Sequence, residues 1–166
     1  MAGLRDVAPF EVSVSAYPEM HPESHNWDAE IDNLKRKVDA GATRAITQFF
    51  FEADTFLRFV DRVETAGIDI PIVPGIMLQP NFAGLKRMAD MCGINVPDSY
   101  EEAFAGREGD PEACRLIATS LAYELTADLY NGGIRDFHFY TLNRAELAVS
   151  VSRALGLHEQ LMVDAG

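Results

Sequence analysis

Hydrophobic residues along this chain alternate between a period of two and a period near 3.6, the signature of strands followed by helices. Phe10, Val12, Val14 and Ala16 alternate with Glu11, Ser13 and Ser15, which reads as a half-buried strand. Trp27, Ile31, Leu34 and Val38 then share one helical face, with Asn26 placed as N-cap and Gly41 where a terminating glycine belongs. A second strand reads from Arg44 to Phe49. Phe56, Phe59, Val60 and Val63 mark the helix after it, which stops near Gly67. The third strand is short, Ile70 to Val73, and runs into Pro74-Gly75; its helix carries Phe82, Leu85, Met88, Ala89 and Cys92. An acidic stretch from Gly93 to Pro111 holds a short helix around Tyr100 to Phe104. Cys114, Ile117, Leu121, Leu125 and Leu129 mark a long helix ended by Gly132-Gly133. A fourth strand, Ile134 to Tyr140, leads into a last helix with Leu147, Val151, Ala154 and Leu155.

This alternation implies an α/β fold whose parallel strands are joined by right-handed helical crossovers. Two architectures fit: an open doubly wound sheet and a (β/α) barrel. No linker or repeat divides the chain, so residues 1–166 read as one domain. In either architecture the chemistry belongs at the carboxyl ends of the strands. That rule selects residues 15–21, 47–51, 74–77 and 139–144, where polar and aromatic side chains are concentrated.

Composition removes several classes of function. Acidic residues outnumber basic ones 26 to 14, and a net charge of -12 repels nucleic-acid backbones. The N-terminus lacks the apolar core of a secretory signal, and no run approaches the ~20 apolar residues of a membrane span. A soluble cytoplasmic protein with no membrane and no nucleic-acid partner is expected. Cys92 and Cys114 have no partner motif and read as reduced structural thiols. Glycine-rich dinucleotide and P-loop signatures are absent, as is a Gly-x-Ser-x-Gly elbow. His21 and His25 have i,i+4 spacing, but Pro22 lies between them and nothing completes a ligand set, so no metal site is expected.

Asn33, Arg36 and Lys37 share a helical face, and an amide with two cations can hold an anion such as a pyrophosphate; a solvated basic stripe is the plainer reading of the spacing. Gln48 ends an apolar strand and can donate and accept at once, as reading a heterocycle edge requires; a loop contact is the plainer role. Tyr17 can stack on a flat ring or pack within its loop. Arg144 can bind a carboxylate or pair with Glu146 or Asp136. Phe49, Phe50 and Phe51 fit a core better than a stacking wall, and His138 reads as a core histidine.

Tyr17-Pro18-Glu19-Met20-His21-Pro22-Glu23, the run from Asn33 to Ala42, and Ala45-Ile46-Thr47-Gln48-Phe49-Phe50-Phe51 resemble the 5,10-methylenetetrahydrofolate reductase family. So do Ile72-Val73-Pro74-Gly75-Ile76 and the run from Asp136 to Arg144. The resemblance extends from Phe10 to Gly156. It implies a flavoprotein built on an eight-stranded (β/α) TIM barrel. Such an enzyme moves a hydride from NADH or NADPH to FAD and then to methylenetetrahydrofolate, giving methyltetrahydrofolate for methionine synthesis. Carried over by position, Tyr17, His21, Asn33, Arg36 and Lys37 are implied to bind FAD. Ser24 and Glu30 lie at further FAD-contacting positions with altered side chains. Gln48 is implied to contact folate and nicotinamide, and Arg144 to bind folate.

Two departures follow from the same resemblance. Where family members can carry a substrate-contacting glutamine in the helix after the third strand, this chain has Gly84, with Gln79 on the preceding loop; Met88 stands where an aromatic can occur. A full barrel needs eight βα units and ~250 residues, whereas four are read here. The family's proton-donating glutamate and its Arg-Gly-Asp segment are therefore expected in a half that this chain does not contain, and Glu19 and Glu52 do not replace them. The expectation is the C-terminal half of such a reductase, inactive alone and homo-oligomeric when complete, present either as a fragment or truncated product or as a split subunit that a separate N-terminal half completes. The alternative is a non-catalytic half-barrel subunit that binds flavin or a partner chain.

Overall fold

The computed structural model describes Ala8 and residues 10–156. Four strands, β1 (Ser13–Ala16), β2 (Arg44–Phe49), β3 (Ile72–Met77) and β4 (His138–Tyr140), form one sheet in chain order. Every neighbouring pair is parallel. The connecting helices are α1 (Trp27–Asp39), α2 (Ala53–Thr65), α3 (Phe82–Cys92), α4 (Asp98–Phe104), α5 (Pro111–Asn131) and α6 (Ala145–Ala154).

Strand order and helix placement decide between the two architectures. A doubly wound sheet reverses its order at a switch point and carries helices on both faces. Here the order never reverses. Leu34 of α1 and Phe59 and Val63 of α2 pack on Ala16 and Ala45. Phe56 of α2, Leu125 and Leu129 of α5, and Leu147 and Val151 of α6 surround Ile76 on the same side. The opposite side is sparsely covered: Ser13 and Ser15 are exposed, and their register partners Arg44 and Ile46 are only half-buried. That is the inner face of a barrel, so the architecture is half of a (β/α)8 barrel. Burial of large apolar side chains such as Phe50, Phe56 and Phe59, each stabilising by about 1.5–3 kcal/mol, holds the helix layer to the sheet.

Local chemistry sets the helix starts. The Asn26 side chain accepts from Ala29 N at 2.9 Å, and α1 carries Asp28 and Glu30 in its first turn and Arg36 and Lys37 in its last, matching the helix dipole. Asp110 caps α5 by accepting from the amides of Glu112 and Ala113, with Pro111 opening the helix.

Strand bounds differ from the sequence reading. β3 begins at Ile72 and runs through Pro74 to Met77 instead of stopping at Val73. Its register with β2 shifts between Ile46 and Phe49, and this irregularity accommodates a proline, which has no amide to donate, inside a central strand. Gly75 is required there, because a Cβ would lie 2.3 Å from the Thr47 carbonyl oxygen and 2.6 Å from the Tyr140 ring. β1 and β4 are shorter than expected, and Phe10 is half exposed. The final segment 157–166 lies outside the described residues.

A candidate cofactor and substrate site at the carboxyl ends of the strands

The loop leaving β1 and the first turn of α1 come together around one buried carboxylate. Glu30 is 4% exposed. It accepts from the His21 amide at 3.3 Å and from the Ser24 hydroxyl. Glu30 thereby folds the loop back over its own helix and places the Tyr17 and His21 rings edge to face, 4.5 Å apart. Lys37, nearly two turns further along α1, donates to the Ser15 carbonyl at 2.7 Å. Burial pushes the Lys37 ammonium below its ordinary value, and the Glu30 charge opposes this. Asn33 is half-buried and Arg36 exposed, and neither side chain has a hydrogen-bond partner among the described residues.

Beside this group, β2 presents Gln48. Its Oε1 accepts from the Phe49 amide at 3.1 Å, and its Nε2 donates to Cys92 Sγ at 3.4 Å. Leu85 and Ala89 of α3 and Tyr100 of α4 pack on Phe49, Phe51 and Met77, so these helices cover the ends of β2 and β3. Phe50 points to the other core, and all three phenylalanines are buried as core residues. Pro22 meets Gly93, and the Glu19 carboxylate accepts from the Asn95 amide at 2.9 Å, tying the β1 loop to the end of α3. Glu19 thus acts as a tether, and burial raises its carboxyl above the usual range.

Tyr140 closes the group from β4. Its hydroxyl donates to the Thr47 carbonyl at 2.9 Å, and His138 packs edge-on against its ring at 4.7 Å. Burial raises both the Tyr17 and Tyr140 phenols, and each also responds to Cys92. Tyr17, Gln48, Cys92 and Tyr140 therefore share one neighbourhood, although they come from three strand ends and one helix. From sequence Cys92 reads as a structural thiol and Tyr140 only as part of the 139–144 strand end, and neither is assigned a role at the site. No local pattern links Cys92 to Gln48, because their contact exists only through the packing of α3.

Arg144 is set apart from this group. It is exposed and pairs with neither Glu146 nor Asp136, since the ion pairs among the described residues are Arg44–Glu11 and Lys86–Glu101. Instead it borders a cavity of about 410 Å³ with Phe82, Phe104, Pro111 and Arg115. The two arginines stand over an apolar floor with the Glu108 carboxylate in the same lining, so the rim is of mixed charge and suits a ligand with a flat body and a polar end. Ser24 and Glu30 bond to each other.

A family model described as methylenetetrahydrofolate reductase matches residues 3–156. The chain belongs to this family. It is 47% identical over 158 residues to the 5,10-methylenetetrahydrofolate reductase of Escherichia coli (strain K12), covering 95% of this chain and 53% of that protein. It is 36% identical over 163 residues to methylenetetrahydrofolate reductase (NADH) 1 of Zea mays, covering 93% of this chain and 28% of the relative. The chain therefore spans about half the length of the bacterial reductase it matches. A solved structure of an uncharacterised protein from Clostridium thermocellum, described as binding two copies of 5-methyl-5,6,7,8-tetrahydrofolic acid, is similar in fold. Its TM-score is 0.57 at 17% identity, over 91% of this chain and 55% of that one. Within the reductase family, then, this chain is a half-barrel whose polar and aromatic residues gather where barrel enzymes place their chemistry. Among the described residues no helix is long and apolar enough to cross a membrane, and no group of three or more His, Cys, Asp or Glu could hold a metal ion.

Proposed function

We propose that this chain supplies the cofactor- and folate-facing half of a flavin-dependent methylenetetrahydrofolate reductase. The reaction converts 5,10-methylenetetrahydrofolate to 5-methyltetrahydrofolate with NADH or NADPH as reductant. The observation that carries the reading is the convergence of Tyr17, His21, Glu30, Lys37 and Gln48 at one end of the sheet. The donor set fits FAD. Arg36 and Asn33 hold donors with no partner among the described residues, and Lys37 adds a fixed cation, which together suit a pyrophosphate. Tyr17, braced by His21, offers a ring to a flat heterocycle. Bound FAD would supply the redox chemistry that these side chains lack.

The chain's own residues then bind and orient. Gln48 is held with its carbonyl on the Phe49 amide and its NH2 toward Cys92, so one amide can meet either planar partner of a ping-pong exchange. Arg144 takes a carboxylate at the mouth of the neighbouring cavity. Two carboxylates near the site, Glu30 and Glu19, are already engaged by Ser24 and the Asn95 amide. By the family resemblance the proton donor belongs to the complementing half of the barrel, and the 166-residue chain alone is expected to be inactive. The test is methylenetetrahydrofolate reduction by the purified chain, with and without a supplied N-terminal half from a relative. Turnover only in the mixture supports the reading; robust turnover by the chain alone overturns it.

A further inference from the structure

Gln48 stands in an irregular part of its strand. Ile46 pairs with Val73 and Phe49 with Gly75, so Thr47 and Gln48 together oppose Pro74 alone. Two residues against one make a β-bulge, which bends its strand and re-aims a side chain. Pro74 has no amide to give the ladder, and side chains take over the bonding there. The Gly75 amide donates to the buried Thr47 hydroxyl at 2.9 Å, and the Tyr140 hydroxyl donates to the Thr47 carbonyl at 2.9 Å. β3 lies between β2 and β4, so the Tyr140 ring must cross it to reach Thr47. It crosses over Gly75, where a Cβ would lie 2.6 Å from the ring.

The Thr47 carbonyl and the Gln48 nitrogen belong to one planar peptide, so holding the carbonyl fixes the plane from which the Gln48 side chain departs. The tip of that side chain is held as well, by the Phe49 amide on Oε1 at 3.1 Å and by Cys92 Sγ on Nε2 at 3.4 Å. With those two bonds made, one N–H and one Oε1 lone pair are left for a ligand. We propose that Tyr140 is a positioning residue: its hydroxyl, reaching across β3, holds the bulge that aims Gln48 at a planar ligand. The assignment rests on the functional reading above and adds to it the residue that sets how Gln48 meets folate.

The experiment is a double-mutant cycle on the 15N-labelled chain, titrated with 5-methyltetrahydrofolate and followed by NMR, which detects even weak association. Tyr140→Phe keeps the ring over Gly75 and against His138 and removes only the hydroxyl. It moves the Gln48 side-chain NH2 signals before any ligand is added, and it weakens folate binding about three- to tenfold, the worth of one net hydrogen bond. In a Gln48→Ala background the same Tyr140→Phe change has no further effect on affinity, because the residue it positions is gone. A general structural role would lower affinity equally in both backgrounds. Affinity that Tyr140→Phe leaves unaltered, or lowers equally in the Gln48→Ala background, overturns this assignment alone. No folate binding by the unaltered chain overturns the functional reading and the assignment with it.

Discussion

Gly75→Ala tests how tightly three strands are latched under the site. The new Cβ would sit 2.3 Å from the Thr47 carbonyl oxygen and 2.6 Å from a Tyr140 ring carbon. The first is backbone of a central strand and cannot swing aside. Thr47 is fully buried, and its hydroxyl accepts from the Gly75 amide at 2.9 Å. The strand must shift to relieve the first clash and the Tyr140 ring must move to relieve the second, breaking the 2.9 Å bond to the Thr47 carbonyl. Overpacking costs about 1–3 kcal/mol and the lost bond about 1 kcal/mol, so about 2–4 kcal/mol is expected in all. For a chain of this size that lowers Tm by about 5–15 °C. Thermal unfolding followed by circular dichroism reads the shift, with Gly109→Ala as control, since nothing lies within 4 Å of a Cβ there. Tyr140→Phe alone isolates the hydrogen bond. If Gly75→Ala melts with the control, the close approach is not a constraint and the reasoning fails.

Three further outcomes follow from the same geometry. Glu30→Ala removes the acceptor for Ser24 and the His21 amide and should cost about 2–3 kcal/mol in urea unfolding, with faster amide exchange at His21 and Ser24; Glu30→Gln should retain most of the loss. Asp110→Ala should cost about 1 kcal/mol by the same method, because one side chain caps two amides of α5. Burial raises the Tyr100, Tyr140 and Tyr17 phenols, so the folded state keeps protons that unfolded tyrosines release. Their stabilisation is complete below the ordinary phenol pKa near 10 and falls as pH rises past it toward the folded values, so the urea midpoint should drop above about pH 10. Tyr100→Phe should flatten that drop.

Much of the fold was legible because each helix announces itself locally. The Asn26 cap, the Trp27–Val38 face and the Phe56–Val63 face are short-range patterns, and the structure bears them out. The end of β3 was not legible, since Pro74 signals a stop and only the register shift against Phe49 lets the strand continue. His138 is half-buried against Tyr140 rather than enclosed in a core. At the site, Tyr17, His21, Gln48 and the α1 cations could be singled out by their positions at strand ends and on one helix face. The Ser24–Glu30 pair and the Gln48–Cys92 contact depend on how loops fold over them. No spacing rule in the sequence encodes those contacts.

In the proposed function the residues of α1 and the β1 loop bind the cofactor of a completed barrel. The most direct test is flavin absorbance of the chain co-purified with a complementing N-terminal half. The unaltered complex should retain FAD in proportion to protein. An Arg36→Ala, Lys37→Met double variant should assemble equally well and lose most of it. Full FAD retention by that variant, or an assembled unaltered complex with no flavin, would contradict the account.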